Sequence, residues 1–109
     1  MTKNELLTEL RAFETKLRSA EMQSFFASKK QETRDRFVSL RGEVSVAINK
    51  LSNAQLQEIA NKLDELSGDL EAGIANLKDK IEKLNNATIV LNKLSTVLGL
   101  VARIVALVA

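Results

Sequence analysis

The fold is decided by the stretch from Leu56 to Ala109, which reads LQEIANKLDELSGDLEAGIANLKDKIEKLNNATIVLNKLSTVLGLVARIVALVA. A helix brings side chains seven residues apart back to nearly the same face, whereas a strand alternates faces at every residue. The stretch therefore predicts a long helix, or collinear helices, with one apolar seam. The residues that recur at this interval are Leu56, Leu63, Leu70, Leu77, Leu84, Leu91, Leu98 and Val105.

The composition of the whole chain favours the same fold class. Apolar residues make up 45% of the 109 residues, but aromatic residues only 4%. Proline is absent and glycine occurs four times, so residues that break helices are scarce. A chain of this length suits one domain. We therefore expect residues 1–109 to form a single all-α domain.

The first arm of this domain, residues 1–51, carries its own helical signals. Thr2 and Glu5 have the spacing of a capping box, which places a helix start near Lys3. The Ser52 and Gln55 pair has the same spacing and predicts a turn between two arms. The apolar stripe of the first arm consists of Leu6, Leu10, Phe13, Leu17 and Ala20, and resumes at Phe37, Leu40, Val44, Ile48 and Leu51.

The second amphipathic arm, residues 52–86, carries the predicted interaction seam. Its apolar positions follow steps of three and four residues, and two consecutive steps of four lead from Leu66 to Ile74. Such a stutter locally straightens a left-handed supercoil. The seam consists of Leu56, Ile59, Leu63, Leu66, Leu70, Ile74, Leu77, Ile81 and Leu84.

A turn near Ser52 predicts a long antiparallel hairpin that assembles as a helical bundle or coiled-coil oligomer. Each arm would span roughly 75–85 Å if fully helical. Phe37 would then lie near Leu66, and Phe13 near Leu91. The basic run 29–41 would face the acidic residues 64–71, which favours this register. A compact four-helix bundle, with breaks near residues 28 and 85–86, is the alternative that periodicity leaves open.

The C-terminal segment, residues 87–109, is apolar on every helical face from Val97 onward, apart from Arg103. Such a helix is buried either in protein or in lipid. A membrane span needs about 20 apolar residues, and Lys93 and Arg103 interrupt this one. A central bundle helix, a membrane segment and a docking segment for another protein all remain open. The possible membrane segment comprises Leu91, Leu94, Val97, Leu98, Leu100, Val101, Ile104, Val105, Leu107 and Val108.

Residues that carry most enzyme chemistry are missing. Histidine and cysteine are absent, which excludes histidine acid–base catalysis, thiol nucleophiles and the common zinc sites. The carboxylates match neither a calcium loop nor a di-iron motif. We therefore expect no enzyme, with no catalytic, metal-binding or cofactor-binding residue and no small-molecule substrate. The net charge of +2 and the absence of tyrosine and tryptophan argue against a nucleic-acid partner.

Two hypotheses of function follow. The first is a non-enzymatic self-assembly or protein-interaction protein, whose partner is a second copy or another helical protein. The second is a membrane-active or membrane-anchored protein that uses the C-terminal segment. Its layout, an amphipathic bundle guarding an apolar helix, looks like that of α-helical pore-forming toxins. The N-terminus has no apolar signal-peptide region, so we expect a cytoplasmic or membrane-associated protein.

Overall fold

The structure is a computed structural model that describes residues 1–84 and 86–105. Within these residues all regular secondary structure is helical, which confirms the all-α class. The five helices are α1 (Lys3–Leu17), α2 (Ala20–Ala27), α3 (Gln31–Asn53), α4 (Leu56–Lys83) and α5 (Ala87–Ala102).

Short polar residues begin three of the helices. The Thr2 hydroxyl accepts a hydrogen bond from the backbone N–H of Glu5, and the Glu5 carboxylate accepts one from the backbone N–H of Thr2. This capping box confirms the predicted start of α1. Ser19 caps α2, and Asn86 caps α5 through the backbone N–H of Ile89. The break at residues 18–19 was not predicted.

The turn between α3 and α4 falls at Ala54 and Gln55 rather than at Ser52. Ser52 lies within α3, so its side chain cannot cap the next helix, and the second predicted capping box is not formed. Gln55 begins α4 without a side-chain capping bond. The Lys3 ammonium donates to the backbone carbonyls of Ser52 at 3.2 Å and Ala54 at 2.7 Å. A cation thus satisfies carbonyls that the end of a helix leaves free.

Helix α4 ends at Lys83 and α5 begins at Ala87. Leu84 ends α4 with φ 44° and ψ 36°, the left-handed conformation, which is unfavourable for a leucine. The chain then reverses direction. The reversal is indicated by a contact midway along both helices, where a Cβ on Gly73 would lie 3.4 Å from Cγ2 of Val97. Helices α4 and α5 therefore form an antiparallel hairpin. The predicted breaks near residues 28 and 85–86 are both present, although Asn85 itself lies outside the described residues.

The four longer helices close into a ring. Helix α1 packs on α3, α3 on α5, α5 on α4, and α4 on α1, while the short α2 packs against α1 and α3. Helices α1 and α3 run antiparallel, since Lys3 meets Ala54 whereas Arg18 reaches Ser45. Helices α3 and α5 run parallel, since Arg36 donates to Asn92 one turn into each helix. This order places α3 and α4 at opposite corners of the ring.

The structure does not confirm the long antiparallel hairpin. The longest dimension of the folded protein is 44 Å, which is far shorter than two continuous helical arms would require. Helices α3 and α4 lie at opposite corners instead of pairing along their lengths. Among the described residues, no ion pair joins the basic run 29–41 to the acidic residues 64–71. The compact helical bundle is the architecture that the structure supports.

Candidate interaction surface

The predicted interaction seam lies mostly inside the bundle. Seven of its nine side chains are at most 5% exposed, Leu84 is partly buried, and Leu56 is 59% exposed. The seam is therefore used for packing within one chain and offers little free surface in the folded bundle. Its role in binding a partner stays a prediction. The seven buried residues are Ile59, Leu63, Leu66, Leu70, Ile74, Leu77 and Ile81.

The possible membrane segment also contributes to the core. Five of its residues are buried between α3, α4 and α5, and three more are partly buried. Within the part of the chain that the structure describes, no helix has the length and hydropathy needed to cross a membrane. Leu107 and Val108 lie outside that part. The buried residues are Leu91, Leu94, Val97, Leu98 and Val101, and the partly buried ones are Leu100, Ile104 and Val105.

Exposed apolar side chains lie on the solvent-facing side of α3. Val38 is 54% exposed and Val46 is 40% exposed. They lie two turns apart on one helical face, with Gly42 between them, and none of the described residues comes within 4 Å of a Cβ placed at Gly42. Two valines aligned in this way leave an apolar line that none of the helices α1 to α5 covers. The sequence reasoning missed it because it followed only the stripe that faces the core.

A groove of about 220 Å³ lies beside this line, between α2 and α3. The rings of Phe26 and Phe37 are stacked at 4.1 Å between centroids, with 9° between their planes, and form its floor. Both rings are at most 4% exposed, so the stack fixes α2 against α3. The groove is lined by Gln23, Phe26, Ala27, Arg34, Phe37, Val38 and Arg41.

Two arginines make the rim of this groove cationic. The Arg41 guanidinium lies 5.2 Å from the centroid of the Phe37 ring, and Arg34 donates to the Gln31 side chain at 2.6 Å. Among the described residues, neither arginine pairs with a carboxylate. Gln31 in turn donates to the Asp35 carboxylate at 2.6 Å, so Arg34 reaches a carboxylate only through Gln31, and within residues 1–84 and 86–105 the rim keeps two arginines without a direct acidic partner. We call Val38, Gly42, Val46 and the residues that line the groove the α3 surface.

The opposite corner of the bundle is acidic. Between residues 56 and 76, helix α4 carries five carboxylates against one lysine. Asp64 and Asp69 are exposed, and neither forms an ion pair among the described residues. Gly68 and Ala72 are exposed between the acidic side chains, and no atom of the described part of the chain lies within 4 Å of a Cβ placed at Gly68. We call Asp64, Glu65, Gly68, Asp69 and Ala72 the acidic α4 face.

The perturbed carboxyl groups are explained by helix structure. The pKa of Glu5 is lowered from its ordinary value chiefly because the backbone N–H of Thr2 donates to its carboxylate. The pKa of Asp79 is lowered chiefly by a hydrogen bond from Lys83, one turn further along α4. Among the described residues, no group of three or more potential metal ligands comes together.

Comparisons with protein families, with curated proteins and with solved structures find no significant match to this chain.

Proposed function

We propose that this protein is a non-enzymatic helical interaction protein that associates with copies of itself through the α3 surface. One observation carries the proposal. Val38 and Val46 expose apolar area beside a groove whose two arginines form no direct ion pair with a carboxylate of residues 1–84 or 86–105. Val38 and Val46 are each about half buried already, so covering both would favour association by at most about the 1.5–3 kcal/mol of one complete valine burial.

This form of association leaves the bundle closed. Contact through the leucine seam would require α4 to leave its neighbours and expose seven buried side chains. Contact through the α3 surface needs no such rearrangement, since Val38, Val46 and the groove already face solvent. Another helical protein with an apolar, acidic face would suit the same surface.

Sedimentation velocity over a range of protein concentrations tests the proposal. The mean mass of the wild-type protein should rise above the 12.0 kDa of one chain as concentration increases. A Val38→Glu/Val46→Glu variant should remain at the monomer mass, because it places two charges where apolar contact is needed.

A matched control is available on other helices. Leu56 and Ile89 are 59% and 38% exposed, so Leu56→Glu/Ile89→Glu removes a similar exposed apolar area and adds the same charge. The control should associate like the wild type. A wild type that stays monomeric at every concentration, or equal losses in both variants, contradicts the proposal.

The second candidate is conditional membrane binding by α5. The observation that favours it is the apolar composition of this helix, which continues through the partly buried Ile104 and Val105. Because α5 packs against both α3 and α4, it must leave them before it enters lipid. Binding to a bilayer would therefore require the bundle to open.

Flotation with liposomes tests this candidate, with a crosslink as the control. The chain has no cysteine, so Gly73→Cys/Val97→Cys adds one pair across α4 and α5, where the two positions are close. The reduced variant should float with anionic or neutral vesicles at neutral or mildly acidic pH, and the oxidised one should not. Protein that never floats, or floats equally in both forms, contradicts membrane entry by α5.

A further inference from the structure

We infer that the α3 surface binds the acidic α4 face of a second copy of this chain. The inference rests on the proposed self-association and names the two surfaces that meet. One copy cannot bring them together, because α3 and α4 occupy opposite corners of the bundle. Two copies can, because each carries one surface of each kind.

Charge is the first argument. Among the described residues, Arg34 and Arg41 rim the groove without a direct ion pair to a carboxylate, and on α4 Asp64 and Asp69 are exposed without an ion pair to a cation. Exposed ion pairs contribute little energy individually. Complementary fields nevertheless speed the encounter and penalise wrong orientations, so they select the partner surface.

Shape is the second argument. The acidic α4 face has Gly68 and Ala72 at its centre, so the backbone of α4 is accessible to close approach. On α3, Val38 and Val46 protrude about 12 Å apart, since two helical turns and a little more separate them. Small residues on one helix and protruding side chains on the other allow ridges to fit grooves.

The symmetry of the assembly follows from the two surfaces. A contact between different surfaces of identical chains is heterologous, and it repeats from copy to copy as an open chain or a ring. A twofold dimer would instead pair α3 surface with α3 surface. Two complementary variants separate these arrangements.

The first variant, Arg34→Glu/Arg41→Glu, spoils the groove and keeps the acidic α4 face. The second, Asp64→Lys/Asp69→Lys, spoils the acidic α4 face and keeps the groove. Each variant alone should remain at the 12.0 kDa monomer mass in sedimentation velocity. An equimolar mixture should form a mixed complex of at least twice that mass, because the intact surfaces restore one contact and the two charge-reversed surfaces supply a second contact of opposite polarity. Raised salt should weaken this complex.

Circular dichroism of each variant first establishes that the helices are intact, and Asp64→Asn/Asp69→Asn serves as a milder replacement where a charge reversal lowers helicity. If the wild type associates and Asp64→Lys/Asp69→Lys associates equally well by itself, the α3 surfaces pair with each other. That result overturns this inference and leaves the proposed function standing. A folded mixture that stays monomeric also overturns it. A monomeric wild type overturns both.

Discussion

Replacing Leu70 by alanine tests whether the leucine seam is buried within one chain. Leu70 is 0% exposed at the centre of α4, where the structure surrounds it with the other core residues of the same polypeptide. The substitution removes buried methyl groups and leaves a cavity. Because alanine is an excellent helix former, the loss of stability would come from packing rather than from helix propensity.

The expected loss is about 3 kcal/mol, within the roughly 2–5 kcal/mol typical of a buried leucine replaced by alanine. A domain of this size unfolds with a total of about 5–15 kcal/mol, so the variant keeps a folded population. Its melting temperature should fall by roughly 10–20 °C.

Urea unfolding followed by far-ultraviolet circular dichroism measures the effect, because the chain has neither tryptophan nor tyrosine for fluorescence. Leu56→Ala is the matched control: it is the same substitution in the same helix at a side chain that is 59% exposed. Its effect should stay within about 0.5 kcal/mol.

The comparison is made at concentrations where sedimentation shows a monomer. Burial within one chain predicts an unfolding midpoint that does not depend on protein concentration, whereas burial between chains predicts one that rises with it. A loss below about 1 kcal/mol for Leu70→Ala, or equal losses in both variants, would refute packing of the seam inside the monomer.

Three further predictions concern helix ends, glycines and pH. Thr2→Ala should lower the free energy of unfolding by about 1 kcal/mol, as urea titration would show, because α1 loses its capping box. Gly73→Ala should stabilise by up to about 1 kcal/mol, since its Cβ would meet Val97 at an ordinary 3.4 Å, and Gly99→Ala should do the same in open space. If Gly73→Ala lowered the free energy of unfolding while Gly99→Ala did not, α4 and α5 would have to approach each other more closely at Gly73 than the 3.4 Å distance indicates. Because folding lowers the pKa of Glu5 and Asp79, their contributions are present above the ordinary carboxyl pKa and disappear as pH falls through the lowered values. Glu5→Gln should make the free energy of unfolding depend less steeply on pH in the acid range. An unchanged pH dependence would contradict the lowered pKa of Glu5.

Local structure could be predicted well from the sequence. The Thr2 and Glu5 spacing defines the first helix start, because both groups of a capping box lie within one turn. The steps of three and four along α4 coincide with its buried face from Ile59 to Ile81. Both features depend on neighbours within a few residues of the chain, and helix geometry fixes those neighbours.

The pairing of helices could not be predicted in the same way. An apolar stripe indicates which face of a helix is buried but not which other helix covers that face. The sequence therefore does not determine which helix packs against α4. The charge match between residues 29–41 and 64–71 suggested α3, yet exposed ion pairs are too weak to dictate packing. The sequence favours a turn at Ser52 because serine is a good cap, whereas in the structure α3 continues through Ser52 to Asn53.

The exposed surface was the hardest part to foresee. Val38 and Val46 lie within an amphipathic helix whose polar face also carries Glu32, Asp35 and Glu43. Single valines on such a face are unremarkable in a sequence. Their significance comes from the groove beside them, and that groove exists only because α2 folds back onto α3.

The stacked pair of Phe26 and Phe37 also gives the molecule an optical reporter of its own. With neither tryptophan nor tyrosine in the chain, the near-ultraviolet dichroism arises from four phenylalanines alone. Phe25 lies edge-on to Phe26, so three of the four rings meet where α2 joins α3. The fine structure of this weak signal therefore reports on the floor of the groove. A ligand that shifts these rings when it docks can be detected without attaching a dye.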